Sequence, residues 1–95
     1  MIQQRGIYYI ERIDRKTYIY VEGEKYETYG SLSSYIKELS EDFVRCYGGY
    51  IVNLRYVDVI EKGSVILSNK VRIPVGGTYQ DNLMKLYMRF LAKRM

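Results

Sequence analysis

Phe43-Val44-Arg45-Cys46-Tyr47-Gly48-Gly49-Tyr50-Ile51-Val52-Asn53-Leu54-Arg55-Tyr56-Val57 is the stretch on which the fold turns. Phe43 to Cys46 reads as a short strand. Gly48 and Gly49 then break it, because two adjacent glycines cannot favour regular structure. The structural expectation for such a pair is a tight turn with φ > 0. Tyr50 to Val57 is open between a strand and a helical turn, with Asn53 placed to cap the turn.

On the N-terminal side, Ile7 to Ile10 and Lys16 to Val21 are β-branched and aromatic runs. In the second, Thr17, Ile19 and Val21 share one face, and Tyr18 and Tyr20 the other. Arg12 to Arg15 is expected as the loop between them. A turn at Glu22-Gly23-Glu24 leads into a third strand, Lys25 to Thr28. Ser31 is a good N-cap for a helix whose Leu32, Tyr35, Ile36 and Leu39 fall on one face, ending near Ser40-Glu41. On the C-terminal side, Asp58 to Glu61 and Ser64 to Leu67 form a hairpin around Lys62-Gly63, followed by a strand at Val71 to Val75. Thr78 as N-cap, with Asp81 three residues on, predicts a last helix. Tyr79, Leu83, Leu86, Tyr87, Phe90 and Leu91 form its apolar stripe. Eight short segments with many turns suit small antiparallel sheets flanked by helices rather than a parallel doubly wound sheet.

The chain has 95 residues, room for one small domain. No apolar run approaches the roughly 18–20 residues that span a bilayer, and the first residues lack the apolar stretch of a signal peptide. The expected setting is cytoplasmic, with no membrane partner. A single cysteine excludes a disulfide within the chain, and the lack of histidine removes the common catalytic triads and most zinc or iron sites. No metal and no cofactor are expected. Residues 1–47 hold seven basic and eight acidic side chains, and residues 48–95 hold eight and three, so the net +4 sits in the second half. That asymmetry suggests a polyanionic partner, although +4 is also an ordinary solubility charge.

Enzyme templates fail in turn: there is no GxSxG, HExxH, GxxxxGK[ST] or GxGxxG. The adjacent carboxylates Glu41 and Asp42 diverge too readily to share a substrate atom and are expected to bracket a helix end. Cys46 lacks a histidine partner and reads as a buried structural thiol. The chain is therefore not expected to be an enzyme. Its 12 tyrosines, against two phenylalanines and no tryptophan, suit thin sheets with half-wet faces. Tyr47, beside the glycine pair, is the one placed to offer its ring to a ligand.

The stretch from Phe43 to Val57 resembles the hallmark of the LytTR DNA-binding domain family, F-x-R-x-H-R/N-S-Y/F-I-V-N-L-x-x-I. Ile7-Tyr8-Tyr9-Ile10-Glu11 resembles the family's opening I-x-Y-I-E, and Arg15 to Ile19 its second strand. Gly30-Ser31-Leu32 through Leu39 resembles its G-S/N-L-x-x-L-x-x-L helix. Ile73-Pro74-Val75 with Tyr79 and Leu83 resembles its ending, I-P-V-S-R-x-Y-x-x-x-L. The resemblance implies a mainly β fold, an elongated set of small antiparallel sheets with two short helices. It implies a bacterial transcription regulator, typically the output module of a two-component response regulator, that inserts loops into successive major grooves of duplex DNA. A receiver domain and self-association on DNA are the implied further partners. The 95 residues leave no room for a receiver, so residues 1–95 are expected as a single DNA-binding domain, either a fragment or a stand-alone regulator.

The loops that contact DNA in the family correspond here to Arg15-Lys16-Thr17, Tyr47-Gly48-Gly49 and Gly76-Gly77-Thr78. Arg55 is added as a phosphate candidate, Arg12 as a further cation, and Arg45 as a brace for the second loop. The departures from the family pattern fall in these loops. Tyr-Gly-Gly replaces H-R-S or H-N-S, Gly-Gly-Thr replaces S-R-R or R-N, and the next positions, often basic, are Gln80 and Asp81. Glycine offers no side chain to a base edge, and each lost bidentate contact removes roughly 1–3 kcal/mol of discrimination. Two accounts follow. The domain binds duplex DNA through the remaining cations and the glycine backbones, or the scaffold serves protein–protein contacts with weak or lost DNA binding.

Overall fold

The computed structural model describes residues 2–94. Among the described residues, eight strands form two antiparallel sheets. The larger contains β1 (Ile7–Ile13), β2 (Lys16–Val21), β3 (Glu24–Thr28), β4 (Phe43–Tyr47) and β5 (Tyr50–Asn53), in the order β3-β2-β1-β5-β4. The smaller contains β6 (Val57–Glu61), β7 (Ser64–Leu67) and β8 (Arg72–Pro74), in sequence order. α1 (Leu32–Glu38) joins the β1–β2–β3 meander to the β4–β5 hairpin, and α2 (Gly77–Ala92) follows β8. The molecule measures 33 × 27 × 26 Å, so it is only modestly longer in one direction.

Two apolar clusters lie on the two faces of the larger sheet. Ile7, Ile10, Leu32, Phe43 and Ile51 form one, with Ile19, Val21, Ile36 and Leu39 against it, and α1 covers that face. Ile7 and Ile10 are three residues apart, which in a regular strand would put them on opposite faces. A bulge between Ile7 and Tyr9 shifts the β1–β2 register and brings both to the same side. The second cluster joins Val44, Cys46 and Val52 to Val65, Leu67 and Ile73 of the smaller sheet and to Leu83 of α2. It ties the two sheets and the last helix together.

Asn53 settles the stretch left open between strand and turn. Its side chain is fully buried, its amide donates to the Ile7 carbonyl at 2.8 Å, and its Oδ1 accepts from Arg55 N–H at 3.0 Å. β5 therefore stops there, and Leu54–Tyr56 makes one 3-10 turn. Ser31 caps α1 as expected, its Oγ accepting from Ser34 N–H at 3.1 Å. α1 ends at Glu38, earlier than its apolar spacing suggests, because Leu39 turns extended. The Gln4 side chain closes that end, accepting from Ser40 N–H and donating to the Glu38 carbonyl.

Three expectations need correction. β1 runs through Arg12 to Ile13, so the loop expected at Arg12 to Arg15 shrinks to a two-residue turn. Asp14 makes that turn at φ 55, a conformation short polar side chains tolerate. Thr78 is not the cap of α2: the helix starts at Gly77, with Gly76 as N-cap and no side-chain cap. Leu91, expected on the apolar stripe of α2, is 40% exposed, whereas Leu83 is fully buried.

Candidate nucleic-acid interface

Sheet register decides which loops meet. β1 and β5 are antiparallel with Glu11 opposite Tyr50, so the β1–β2 turn and the β4–β5 turn share one end of the sheet. Arg12 N–H donates to the Gly49 carbonyl at 2.8 Å and joins them. Gly76 N–H donates to the Cys46 carbonyl at 2.9 Å, bringing the start of α2 to the end of β4. Val75 N–H donates to the Gly63 carbonyl at 2.9 Å, which adds the β6–β7 turn beside Gly76. Asp14-Arg15, Gly48-Gly49, Gly76-Gly77 and Lys62-Gly63 thus form one continuous edge. The three loops named from the sequence are brought together, and Lys62 joins them.

Lys62 was missed by sequence reasoning. Its hairpin was legible, but its neighbourhood depends on Ser64 pairing with Pro74, a long-range register. Gln80 fixes this corner: its Oε1 accepts from Gly63 N–H at 3.2 Å and its Nε2 donates to the Glu61 carbonyl at 3.3 Å.

The side chains on the edge differ in what they offer. Arg15 is exposed and, among the described residues, in no ion pair. Lys16 is exposed but lies 2.8 Å from Glu27, whose hydrogen bond and charge hold the ammonium above its ordinary pKa. Thr17 is fully buried, and its hydroxyl donates to the Gly30 carbonyl at 2.7 Å. It supports the edge from within and has no surface to present. Tyr47 is 45% exposed, edge-on to Tyr50 with ring centroids 6.3 Å apart. Gly48, Gly77 and Thr78 are exposed. Arg55 lies elsewhere: it follows the far end of β5, and at about 3.3 Å per residue the strand separates it from the loop edge.

The glycine pairs are not what the turn argument expects. None of Gly48, Gly49, Gly76 and Gly77 has φ in the left-handed region. Two of them are crowded instead. A Cβ on Gly49 would stand 3.3 Å from the Arg12 carbonyl oxygen, and one on Gly76 would stand 3.0 Å from the Tyr79 ring and 3.3 Å from the Tyr47 ring. At Gly48 and Gly77 a Cβ meets nothing within 4 Å.

The edge is braced from behind by two arginines. Arg45 donates to the Gly48 carbonyl at 2.8 Å and to Ser33 Oγ at 3.1 Å, so it does brace the second loop. Arg12 donates to the carbonyls of Asp14 and Gly30, tying the first turn to the segment before α1. Beneath the loops, the Glu11 carboxylate accepts from Tyr20 at 2.7 Å and from Tyr50 at 2.5 Å. Tyr9 stacks on Tyr20 with centroids 4.2 Å apart. The hydrogen bond to Glu11, then burial, pushes Tyr50 up to about 12. Burial pushes the Cys46 thiol up to about 12 as well, so it stays protonated and inert as a nucleophile at neutral pH. Glu41 and Asp42 pair with Lys93 and Arg94 at the end of α2.

The family model of the LytTr DNA-binding domain matches residues 1–88. Among solved structures, the chain is similar to the LytTr DNA-binding domain of a Bacillus cereus protein described as a methyl-accepting/DNA response regulator. The TM-score is 0.82 at 26% identity, over 90% of this chain and 84% of that one. No curated protein matches the chain. The family model spans nearly the whole chain, and the chain belongs to the LytTR DNA-binding domain family.

Proposed function

We propose that this chain binds duplex DNA along the edge formed by the β1–β2, β4–β5 and β8–α2 segments, as the DNA-binding part of a bacterial transcription regulator. The observation that carries the reading is the alignment of these segments by the Arg12–Gly49 and Gly76–Cys46 hydrogen bonds. Backbone tips on one edge can enter grooves from one side of a duplex, which scattered loops cannot. Arg15 and Lys62 contact phosphates. Tyr47 offers its ring edge and hydroxyl. Gly77 and Thr78 bring the first N–H groups of α2 to a phosphate, where the helix dipole favours the anion. Gly48 and Gly49 allow close backbone approach but bring no side chain to a base, so affinity rests more on phosphates than on base edges.

The similarity to the Bacillus cereus protein described as a response regulator favours such a regulator here, in which a receiver domain and self-association on DNA would set the regulation. The setting is cytoplasmic, and among the described residues no helix is long and apolar enough to cross a membrane. Fluorescence anisotropy with random and operator-like duplexes tests the proposal. Binding that weakens steeply with salt supports it. No complex with any duplex at low salt overturns it in favour of a scaffold kept for protein contacts.

A further inference from the structure

A cavity of about 560 Å³ opens at the end of the larger sheet opposite the loop edge. Its position follows from register: Val21 on its wall pairs with Ile7 at the start of β1, whereas the loop edge begins beyond Ile13. Arg5 and Arg55 both line it. Among the described residues neither is in an ion pair, although four other basic side chains are. Glu24 accepts a hydrogen bond from the Tyr26 hydroxyl on the cavity wall. The remaining wall mixes the aliphatic and aromatic side chains of Ile2, Val21, Tyr26 and Tyr56 with the polar Gln3 and with Gly6.

That wall is held in place. Tyr56 donates its hydroxyl to the Arg5 carbonyl at 2.5 Å, and its ring stacks on Tyr8 with centroids 4.1 Å apart and planes 11° apart. A 3-10 turn at Gln4–Gly6 and the one at Leu54–Tyr56 are thereby fixed to each other, which sets both arginines around one space. The volume falls within the roughly 300–1,000 Å³ of small-molecule sites, where a few placed polar and charged groups fix a ligand's orientation. Guanidinium groups match carboxylate and phosphate in charge and in fork geometry.

We infer that this cavity binds a small anionic molecule with a flat apolar body, its charge held between Arg5 and Arg55 and its body against Tyr56 and Val21. Aromatic carboxylates and phosphorylated nucleosides share that chemistry. The test is an NMR titration of the chain with 2-naphthoate, adenosine 5′-monophosphate and inorganic phosphate in separate arms. Saturable shifts at residues 2–6, Val21, Tyr26 and the Arg5 and Arg55 side-chain N–H groups are expected in at least one of the first two arms, and which arm responds identifies the source. Arg5→Gln and Arg55→Gln should each weaken binding about tenfold or more, and Arg55→Lys, which keeps the charge but loses the fork, should recover only part of it. Both sites are exposed, so the variants should fold, which circular dichroism checks. The inference is overturned if neither organic anion binds, if phosphate alone binds as tightly as they do, if the shifts centre on α2, or if both glutamine variants bind like the parent.

Discussion

Arg15 and Thr17 are two residues apart, yet only one of them reaches solvent. Thr17 spends its hydroxyl on the Gly30 carbonyl, which also accepts from Arg12. Thr17→Val keeps the shape and leaves that carbonyl its second donor, so it should cost about 1 kcal/mol and lower Tm by about 4–8 °C. Well below Tm its duplex affinity should match the parent. A large loss of affinity in the folded variant would return Thr17 to the contact surface. The glycines allow a finer test. Gly48→Asn and Gly77→Arg place side chains in open space on the edge, and each should raise duplex affinity by about tenfold, within the range of one restored base contact. Gly76→Arg must push aside the Tyr79 and Tyr47 rings and should destabilise the fold instead. If Gly48→Asn and Gly77→Arg both fold and neither changes binding, the edge is misassigned. Titration adds a third residue-level expectation. Cys46 and Tyr50 lie near 12, above their ordinary values of 9.0 and 10.0, so the folded chain keeps protons that the unfolded chain loses first. Their contribution is intact below about pH 9 and is lost as pH rises toward 12. Urea midpoints should fall from pH 8 to pH 11, and a flat profile would contradict the burial of Cys46 and the Tyr50–Glu11 hydrogen bond.

α2 contributes one fully buried residue, Leu83, and the Gln80 clasp on the β6–β7 turn. Leu83→Ala should cost about 2–5 kcal/mol, the range for emptying a core leucine site. Because the helix carries Gly77 and Thr78, hydrogen exchange should quicken along α2 and duplex binding should fall with it. Retained stability in urea would mean that the helix is held by its half-buried aromatic stripe alone. This element also marks where the sequence stops being informative. Its apolar spacing was legible, but its start was not: Thr78 has the chemistry of a cap, while Gly76 takes the position because its N–H is drawn to the Cys46 carbonyl. Likewise β2 alternation puts Thr17 on the buried side with Ile19 and Val21, whereas the family pattern assigns it to a contact loop. The local rule prevails. Arg55 shows the opposite failure. It is close to the glycine turn in sequence, but a strand of four residues carries it to the other end of the sheet. Strand identity and loop identity are written in residue types. Which tips share an edge depends on long-range pairing such as Glu11 with Tyr50.

Charge over the whole molecule does not follow the count along the chain. The basic second half is partly spent internally: Lys93 and Arg94 face Glu41 and Asp42, and Arg72 meets Glu61 at 2.5 Å. On the loop edge Lys16 is paired with Glu27, which leaves Arg15 and Lys62 as the exposed cations without an ion pair among the described residues. With the first N–H groups of α2 added, two to three phosphates would be met. Each neutralised phosphate contributes about −0.9 to the slope of log affinity against log salt, so the slope should be about −2 to −3. Between 50 and 200 mM salt that amounts to a loss on the order of tenfold to fortyfold, a shallow dependence for a DNA-binding domain. Arg15→Gln and Lys62→Gln should each flatten the slope by about one. Arg55→Gln removes the same charge from the same molecule but from the opposite end, where at 0.15 M salt screening acts over about 8 Å, so it should leave the slope unchanged. The comparison separates a located interface from a merely cationic protein. If the three variants flatten the slope equally, net charge rather than the loop edge governs binding; if Arg55→Gln alone does so, the duplex lies at the other end of the sheet.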